Sequence, residues 1–331
     1  MSVVGWFDDT GKPLTFAQVW AGEGQFSAPL PVLLSMMQNV TDPHDYADLT
    51  ASFIAGALWR QKLLERRHDI YVDWYSSYFA WLGTAVHAEA ERSGQSIVHY
   101  QVLTERRMAI RHKSGLWVGA ISDLLQRPAP DQPWELWDYK STGTYAGVKL
   151  LESGVRAEKP EWVRQFGLGR YLARRETWTR KLTDVEKCAQ TLNLPLDVGP
   201  VKVCLLFRDW KPADAEKIKP VEVFDVPIMP DAEVEEMIDS AVCDWLRLKD
   251  TPDDLLPPCP PDQLWLNENP RARQNYGKVQ RCENYCAGRE FCNQFKAMKA
   301  AKGEDGRFTM DILKDAAAAV EAGIAAGQTR A

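Results

Sequence analysis

Asp123, Asp138 and Lys140 are the residues whose types and spacing bear most directly on chemistry. They lie in Gly119-Ala120-Ile121-Ser122-Asp123 and Leu136-Trp137-Asp138-Tyr139-Lys140, two segments that read as strands. On a strand, residues i and i+2 face the same side. Asp138 and Lys140 therefore share a face, and Trp137 and Tyr139 are expected on the other, toward the core. The loop between the strands centres near residue 130, so a symmetric hairpin sets residue 122 or 123 opposite Asp138. Directly opposed residues stand about 4.5–5.5 Å apart at Cα. Two carboxylates that close repel unless a cation lies between them. A hard divalent ion such as Mg²⁺, with the Tyr139 carbonyl as a further oxygen, suits that position. Lys140 adds a positive charge beside it, to orient a water or stabilise charge developing on a phosphate. Together these are the means for hydrolytic cleavage of a phosphodiester. Glu105, on the strand before Asp123, is a further candidate acidic group.

A second constellation is made of sulfur. Cys282-x3-Cys286-x5-Cys292 packs three cysteines into eleven residues, and Cys259 lies 23 residues upstream of the first. Four thiolates can complete a tetrahedral Zn²⁺ site or hold an iron–sulfur cluster. The chain has seven cysteines, an odd number that argues against a disulfide framework in a cytosolic protein. Cys204 falls in the apolar run VKVCLLF and reads as core. Cys188 and Cys243 fall on expected helices and read as structural.

The elements that must position these groups follow from periodicity. Residues 1–30 mix Gly, Pro and short apolar pieces and read as an irregular lead-in. Residues 45–92 carry apolar and aromatic residues at helical spacing. Strands are expected at 97–110, 115–126 and 134–142, a helix from Glu161 to Asn193, and strands at 201–207 and 221–228. Asp231 reads as the N-cap of a helix running to Leu248. DDLLPPCPPDQLW reads as extended, and the Ala-rich tail from 309 as a fraying helix. This order implies an α/β (α+β) chain with a mixed central sheet flanked by helices. The expected domains are a helical lead-in (1–80), a core (81–250), a cysteine segment (251–300) and an Ala-rich tail (301–331).

In order along the chain, these motifs resemble those of the PD-(D/E)XK nucleases, and specifically the RecB-like branch. That branch includes the nuclease domains of RecB and AddB, the CRISPR-adaptation nucleases and many phage exonucleases. Gly83-x-x-x-His87 is similar to its G-x-x-x-H helix, Ile121-Ser122-Asp123 to its G-x-x-D strand, and Asp138-Tyr139-Lys140-Ser141-Thr142 to its D-x-K-[TS]. Gln165 with Tyr171 resembles its Q-x-x-x-Y helix. Two departures stand out: Ala120 replaces the glycine of G-x-x-D, and Tyr171 follows Gln165 by six residues rather than four. The resemblance implies a restriction-endonuclease-like core. It implies His87, Asp123 and Asp138 as ligands of Mg²⁺ or Mn²⁺ and Lys140 as the catalytic lysine. Gln165 would contact the DNA backbone or position Lys140, with Tyr171 a tentative addition. The branch often carries a 4Fe–4S cluster on three clustered cysteines and one distant one. By that resemblance Cys259, Cys282, Cys286 and Cys292 would hold an iron–sulfur cluster, with Zn²⁺ as the alternative.

The implied activity is metal-dependent hydrolysis of DNA, as an exonuclease on ends or single strands in recombination, repair or phage DNA processing. Recombination or helicase proteins are the implied partners. Two other readings use the same residues: a non-catalytic DNA-binding or assembly subunit that keeps the fold, and a zinc-stabilised interaction module. The formal charge of −6 over 331 residues argues against a generally basic nucleic-acid coat but leaves room for a local basic groove. Arg106, Arg107, Arg111, His112, Lys113, Lys149, Arg156, Lys159 and Arg164 could line such a groove, as could Arg271, Arg273, Lys278 and Arg281 beside the cysteines. Thirteen Trp and ten Tyr offer stacking surfaces for unpaired bases. No apolar run approaches the roughly 18 residues of a membrane span, and MSVVGWFDDTGK lacks a secretory layout. A cytoplasmic protein without membrane contact is expected.

Overall fold

The computed structural model describes residues 3–41, 47–56, 58–74, 78, 81, 83–85, 89, 92–93, 101–175, 195–303 and 306–328. The chain forms two compact units, one of Met1–Thr41, Ala57–Tyr78 and Asp244–Ala331, the other of Asp42–Gly56 and Phe79–Cys243. In chain order the elements begin with β1 (Val3–Phe7), β2 (Pro13–Thr15), α1 (Phe16–Trp20), α2 (Leu30–Thr41), β3 (Leu49–Thr50), α3 (Ala51–Ala55), α4 (Trp59–Arg67) and β4 (Ile70–Asp73). They continue with β5 (Gln101–Arg111), β6 (Trp117–Arg127), β7 (Trp134–Thr142), α5 (Thr144–Ser153), α6 (Val155–Glu158) and α7 (Pro160–Ala173). The last are β8 (Val198–Phe207), β9 (Val221–Asp225), α8 (Asp231–Leu248), α9 (Asn293–Ala300) and α10 (Met310–Gln328).

The unit that contains Asp138 is built on a mixed sheet, as its sequence implies. Its order is β3-β6-β7-β8-β9, with β5 paired to β6. β7 and β8 run parallel, while β6 pairs antiparallel with both β5 and β7. β8 shows why such runs form strands: Val201, Val203, Leu205 and Phe207 are buried, and Lys202, Cys204 and Leu206 between them are less so. Helix α7 starts at Pro160, whose missing N–H costs nothing in a first turn. It lies against the sheet, where a Cβ at Gly169 would sit 3.4 Å from the Leu136 side chain, and Gly167 lets it close on the loop after β9, since a Cβ there would sit 2.9 Å from the Cβ of Met229. The chain is thus mixed α/β, a mixed sheet flanked by helices.

The other unit departs from the sequence reading. The lead-in is not irregular, because β1 pairs with β2 and, in parallel, with β4. Residues 70–73, expected to be helical, form that third strand. The apolar spacing across 45–92 could not separate short helices from a buried strand. Leu58, Leu63 and Leu64 share one core with Leu248, Leu256, Cys259, Leu264, Phe295 and Leu313. Residues 1–41 and 57–78 belong to one unit with the cysteine segment, and residues 42–56 to the other. The Pro-rich 253–264 stretch contains 3-10 turns instead of running extended, and α10 is anchored by buried Leu313, Ala316 and Val320. Asp231 opens α8 from inside the helix, and β9 ends at Asp225, before the expected limit. Of the long helix expected to reach Asn193, the described part ends at Ala173, and residues 176–194 lie outside the described set.

Candidate functional site

The acidic pair sits at a fork in the sheet. The β6–β7 ladder runs Gln126↔Glu135, Leu125↔Leu136, Leu124↔Trp137 and stops there. One further step in that register sets Asp123 against Asp138. Farther along, the N-terminal half of β6 pairs with β3 instead, through Val118↔Leu49 and Gly119↔Thr50. The two strands part at Asp123 and Asp138. A backbone amide released from a ladder needs another acceptor, and the Tyr139 N–H donates to Asp123 Oδ2 at 2.8 Å. Asp138 is buried, at 6% exposure. Its Oδ2 lies 2.5 Å from Lys140 Nζ, which itself sits 5.6 Å from the Phe166 ring centroid on α7. Burial works against the Lys140 ammonium, but the charges of Asp138 and Asp123 outweigh it and hold the lysine above its ordinary pKa.

The face on which this happens was misassigned from sequence. Trp137 and Tyr139 were expected in the core, yet both are only half-buried, and Leu136 and Asp138 are buried. Period two identifies which residues share a face, not which face a helix will cover. Here α7 covers the face of Leu136, Asp138 and Lys140. The opposite face carries a polar group: Trp137 Nε1 donates to Glu135 Oε2 at 2.9 Å, and Lys202 Nζ donates to Glu135 Oε1 at 3.0 Å.

Other expected residues fall at varied distances from this pair in the fold. Glu105 belongs to its row. Flanking pairs Thr104↔Leu124 and Arg106↔Ser122 put Glu105 opposite Asp123, so three acidic residues cross three adjacent strands. Glu105 has φ 47°, and the ladder skips it. A non-glycine residue held there costs on the order of 1–3 kcal/mol, and such strain concentrates at functional sites. Gln165 lies half-buried on α7, next to Phe166. Tyr171 is engaged elsewhere. Its hydroxyl donates to Glu235 Oε1 at 2.9 Å, and the Arg175 guanidinium lies 3.3 Å from its ring centroid. Burial and then the Glu235 bond push its pKa up to about 12. His87 lies outside the described residues.

Several members of the expected basic groove act as structural ties. His112 Nε2 and Lys113 Nζ both reach Asp239, at 2.6 and 3.0 Å. Arg164 donates to the Ala55 carbonyl at 2.9 Å, and Lys159 pairs with Glu161 at 3.7 Å.

In the other unit, Cys259, Cys282, Cys286 and Cys292 line one cavity together with Arg281 and Arg289. Burial, reinforced by neighbouring thiols, pushes Cys259 and Cys282 up to about 12. Cys286 is raised as well, by burial and then by Glu65. Cys204 is half-buried in β8 and Cys243 is exposed, both as free thiols, while Cys188 lies outside the described residues.

The braces around this cavity carry no sequence motif. Gln294, 2% exposed, accepts from the Cys259 N–H at 2.8 Å and donates to the Cys259 carbonyl at 2.9 Å. Arg60 on α4, 1% exposed, donates to the carbonyls of Pro257 (3.0 Å), Asp253 (3.3 Å) and Leu256 and to the Asn293 side chain. From the same helix Gln61 donates to the Tyr285 carbonyl at 3.0 Å, and Glu65 accepts from the Ala287 N–H at 3.2 Å. The available signal was a cluster of polar residues around Leu63-Leu64 on a helix otherwise positioned to be buried.

Among the described residues, no group of three or more His, Cys, Asp or Glu side chains is drawn together as a ready metal site. The donor chemistry nevertheless fits two different groups. Paired carboxylates at a sheet fork suit a hard divalent ion. Four thiols facing one cavity, with guanidinium groups beside them, suit zinc or an iron–sulfur cluster.

No protein-family model matches the chain, and no curated protein matches it. Among solved structures, the chain is similar to the crystal structure of SSO0001, with a TM-score of 0.39 and 10% identity over 67% of this chain and 87% of that one. It is also similar to an alkaline exonuclease, LHK-Exo, from Laribacter hongkongensis, with a TM-score of 0.35 and 15% identity over 60% of this chain and 88% of that one. No described helix is long and apolar enough to cross a membrane.

Proposed function

We propose that this protein is a metal-dependent DNA nuclease whose C-terminal cysteines hold an iron–sulfur cluster. The observation that carries the first part is the Asp123–Asp138–Lys140 group at the sheet fork: two carboxylates one step beyond the last β6–β7 pair, one of them buried and paired with a lysine at 2.5 Å. Asp123 and Asp138, with the Tyr139 carbonyl and His87, would hold Mg²⁺ or Mn²⁺. When bound, that ion supplies Lewis-acid activation of a water and neutralises phosphate charge.

The chain's own groups do the rest. Asp123 accepts from the Tyr139 amide and so fixes the fork that keeps the two acids facing one another. Asp138 holds the Lys140 ammonium in place. Lys140, kept cationic by its neighbours, donates toward a phosphate oxygen where negative charge develops. Gln165, on the helix above, is a positioning residue for Lys140 or for the DNA backbone. Glu105 adds a third carboxylate to the row. Action on DNA ends or single strands, in recombination, repair or phage DNA processing and alongside recombination or helicase proteins, is the biological setting this reading implies.

Cys259, Cys282, Cys286 and Cys292 would hold the cluster, with zinc as the alternative. Its role is structural: it ties the Cys259 loop to the 282–292 segment, and phosphodiester hydrolysis needs no redox step.

A panel of end-labelled single- and double-stranded DNA with Mn²⁺ tests the activity. The purified protein should cleave, and Lys140→Ala should lower the rate by on the order of 10²–10³. Cleavage unchanged in Lys140→Ala would remove the proposed mechanism. Visible absorbance and iron content against zinc content decide the cysteine site.

A further inference from the structure

We infer that Trp265 and Tyr285 form a stacking platform for unpaired nucleobases. The inference rests on the nuclease reading for its choice of DNA as the ligand. Large aromatic side chains gain most by burial, yet Trp265 is 50% exposed and Tyr285 65% exposed. They are not scattered singly. Their rings meet edge-to-face, with centroids 5.5 Å apart and planes at 77°. The Arg281 guanidinium lies 4.8 Å from the Trp265 ring centroid. That guanidinium is itself pinned, because Arg281 Nε donates to Gln61 Oε1 at 3.2 Å.

The backbone maintains the display. Trp265 has φ 57°, in the left-handed region that a bulky residue occupies only under constraint. A Leu266↔Val279 bridge and a Gln280 N–H donated to the Trp265 carbonyl at 3.2 Å supply that constraint. They also align Trp265 with the chain that carries Lys278 and Arg281. Lys278 and Arg271, both exposed, sit on the loop closed by the Asn267 N–H to Lys278 carbonyl bond of 2.9 Å, with Glu268 as its acidic member. Exposed aromatic rings beside one pinned guanidinium and two exposed cations match what a single strand presents, flat bases on a polyanionic backbone.

The test is fluorescence anisotropy with the full, metal-loaded chain and no added divalent cation, using labelled oligothymidylate and an abasic oligonucleotide of equal length. Trp265→Ala and Tyr285→Ala should each weaken oligothymidylate binding by about tenfold, with Trp265→Phe close to the parent. Abasic binding should change less than about twofold, since it reads phosphate contacts alone. Unchanged oligothymidylate affinity, or equal losses on both oligonucleotides, would overturn the platform. The two readings fail separately. Mn²⁺-dependent cleavage without base-dependent binding removes the platform alone. Base-dependent binding by a protein that cleaves nothing removes the nuclease alone.

Discussion

The acidic fork and the cysteine cavity are assembled in opposite ways. The first comes from three consecutive strands within residues 101–142, where register alone brings Glu105, Asp123 and Asp138 into one row. The second gathers α4, the Pro-rich turn at 257–261 and the 282–294 segment, pieces nearly 200 residues apart in sequence at Arg60 and Leu256. The hairpin register and the Tyr139 N–H to Asp123 bond, both local, set the fork without a brace from a distant part of the sequence. The cavity needs buried polar braces, Arg60 and Gln294, because nothing local holds Cys259 near the other three thiols. Substitutions at the fork should therefore cost activity more than stability, and substitutions around the cavity the reverse.

The largest expected separation is between Lys140→Ala and Cys259→Ser. The first should lower cleavage by on the order of 10²–10³, and, because it leaves Asp138 buried without its cation, lower the melting temperature as well, but by less than the second. The second should empty the cysteine site and lower the melting temperature by many degrees, since metal binding at such sites contributes directly to folding. A Cys259→Ser protein with full metal content and unchanged melting would break the comparison. Gln294→Ala is the intermediate case. It leaves a buried N–H and carbonyl of Cys259 without partners, at about 1–3 kcal/mol, and should speed loss of bound iron or zinc to a chelator. Retention at the parental rate would show that Cys259 needs no clamp.

Glu105→Gly should have the smallest effect on stability. Glycine relieves the positive φ but adds unfolded-state entropy, two terms of about 1 kcal/mol that nearly cancel. Melting should barely move, while cleavage falls if the carboxylate serves the site. Full activity with altered melting would make Glu105 a purely structural irregularity.

This contrast also governs what could be read beforehand. The D-x-K pattern, the hairpin and the pairing of residue 122 or 123 with Asp138 all follow from period two and a loop centre, and the register agrees at Asp123. Which face α7 covers did not follow, because alternation is symmetric between faces and Trp137 looked more apolar than Asp138. Cys259 could be named beside the three clustered cysteines through the family resemblance alone. Its braces could not, since no periodicity links Arg60 to Leu256 or Gln294 to Cys259. The short strand at 70–73 was lost for a related reason: its partner, β1, lies more than 60 residues away. In the expected basic groove, His112 and Lys113 pair with Asp239 and Arg164 with the Ala55 carbonyl, partners that no sequence pattern announces.

The central claim is that the fork is a hydrolytic centre. It is tested most directly by the single-turnover rate of DNA cleavage in Mn²⁺ for Asp138→Asn beside the parent protein. Asn keeps the size of the buried side chain and removes the charge that holds both the ion and Lys140. The account predicts a fall of at least about a hundredfold with melting close to the parent. A parental cleavage rate in Asp138→Asn would contradict it.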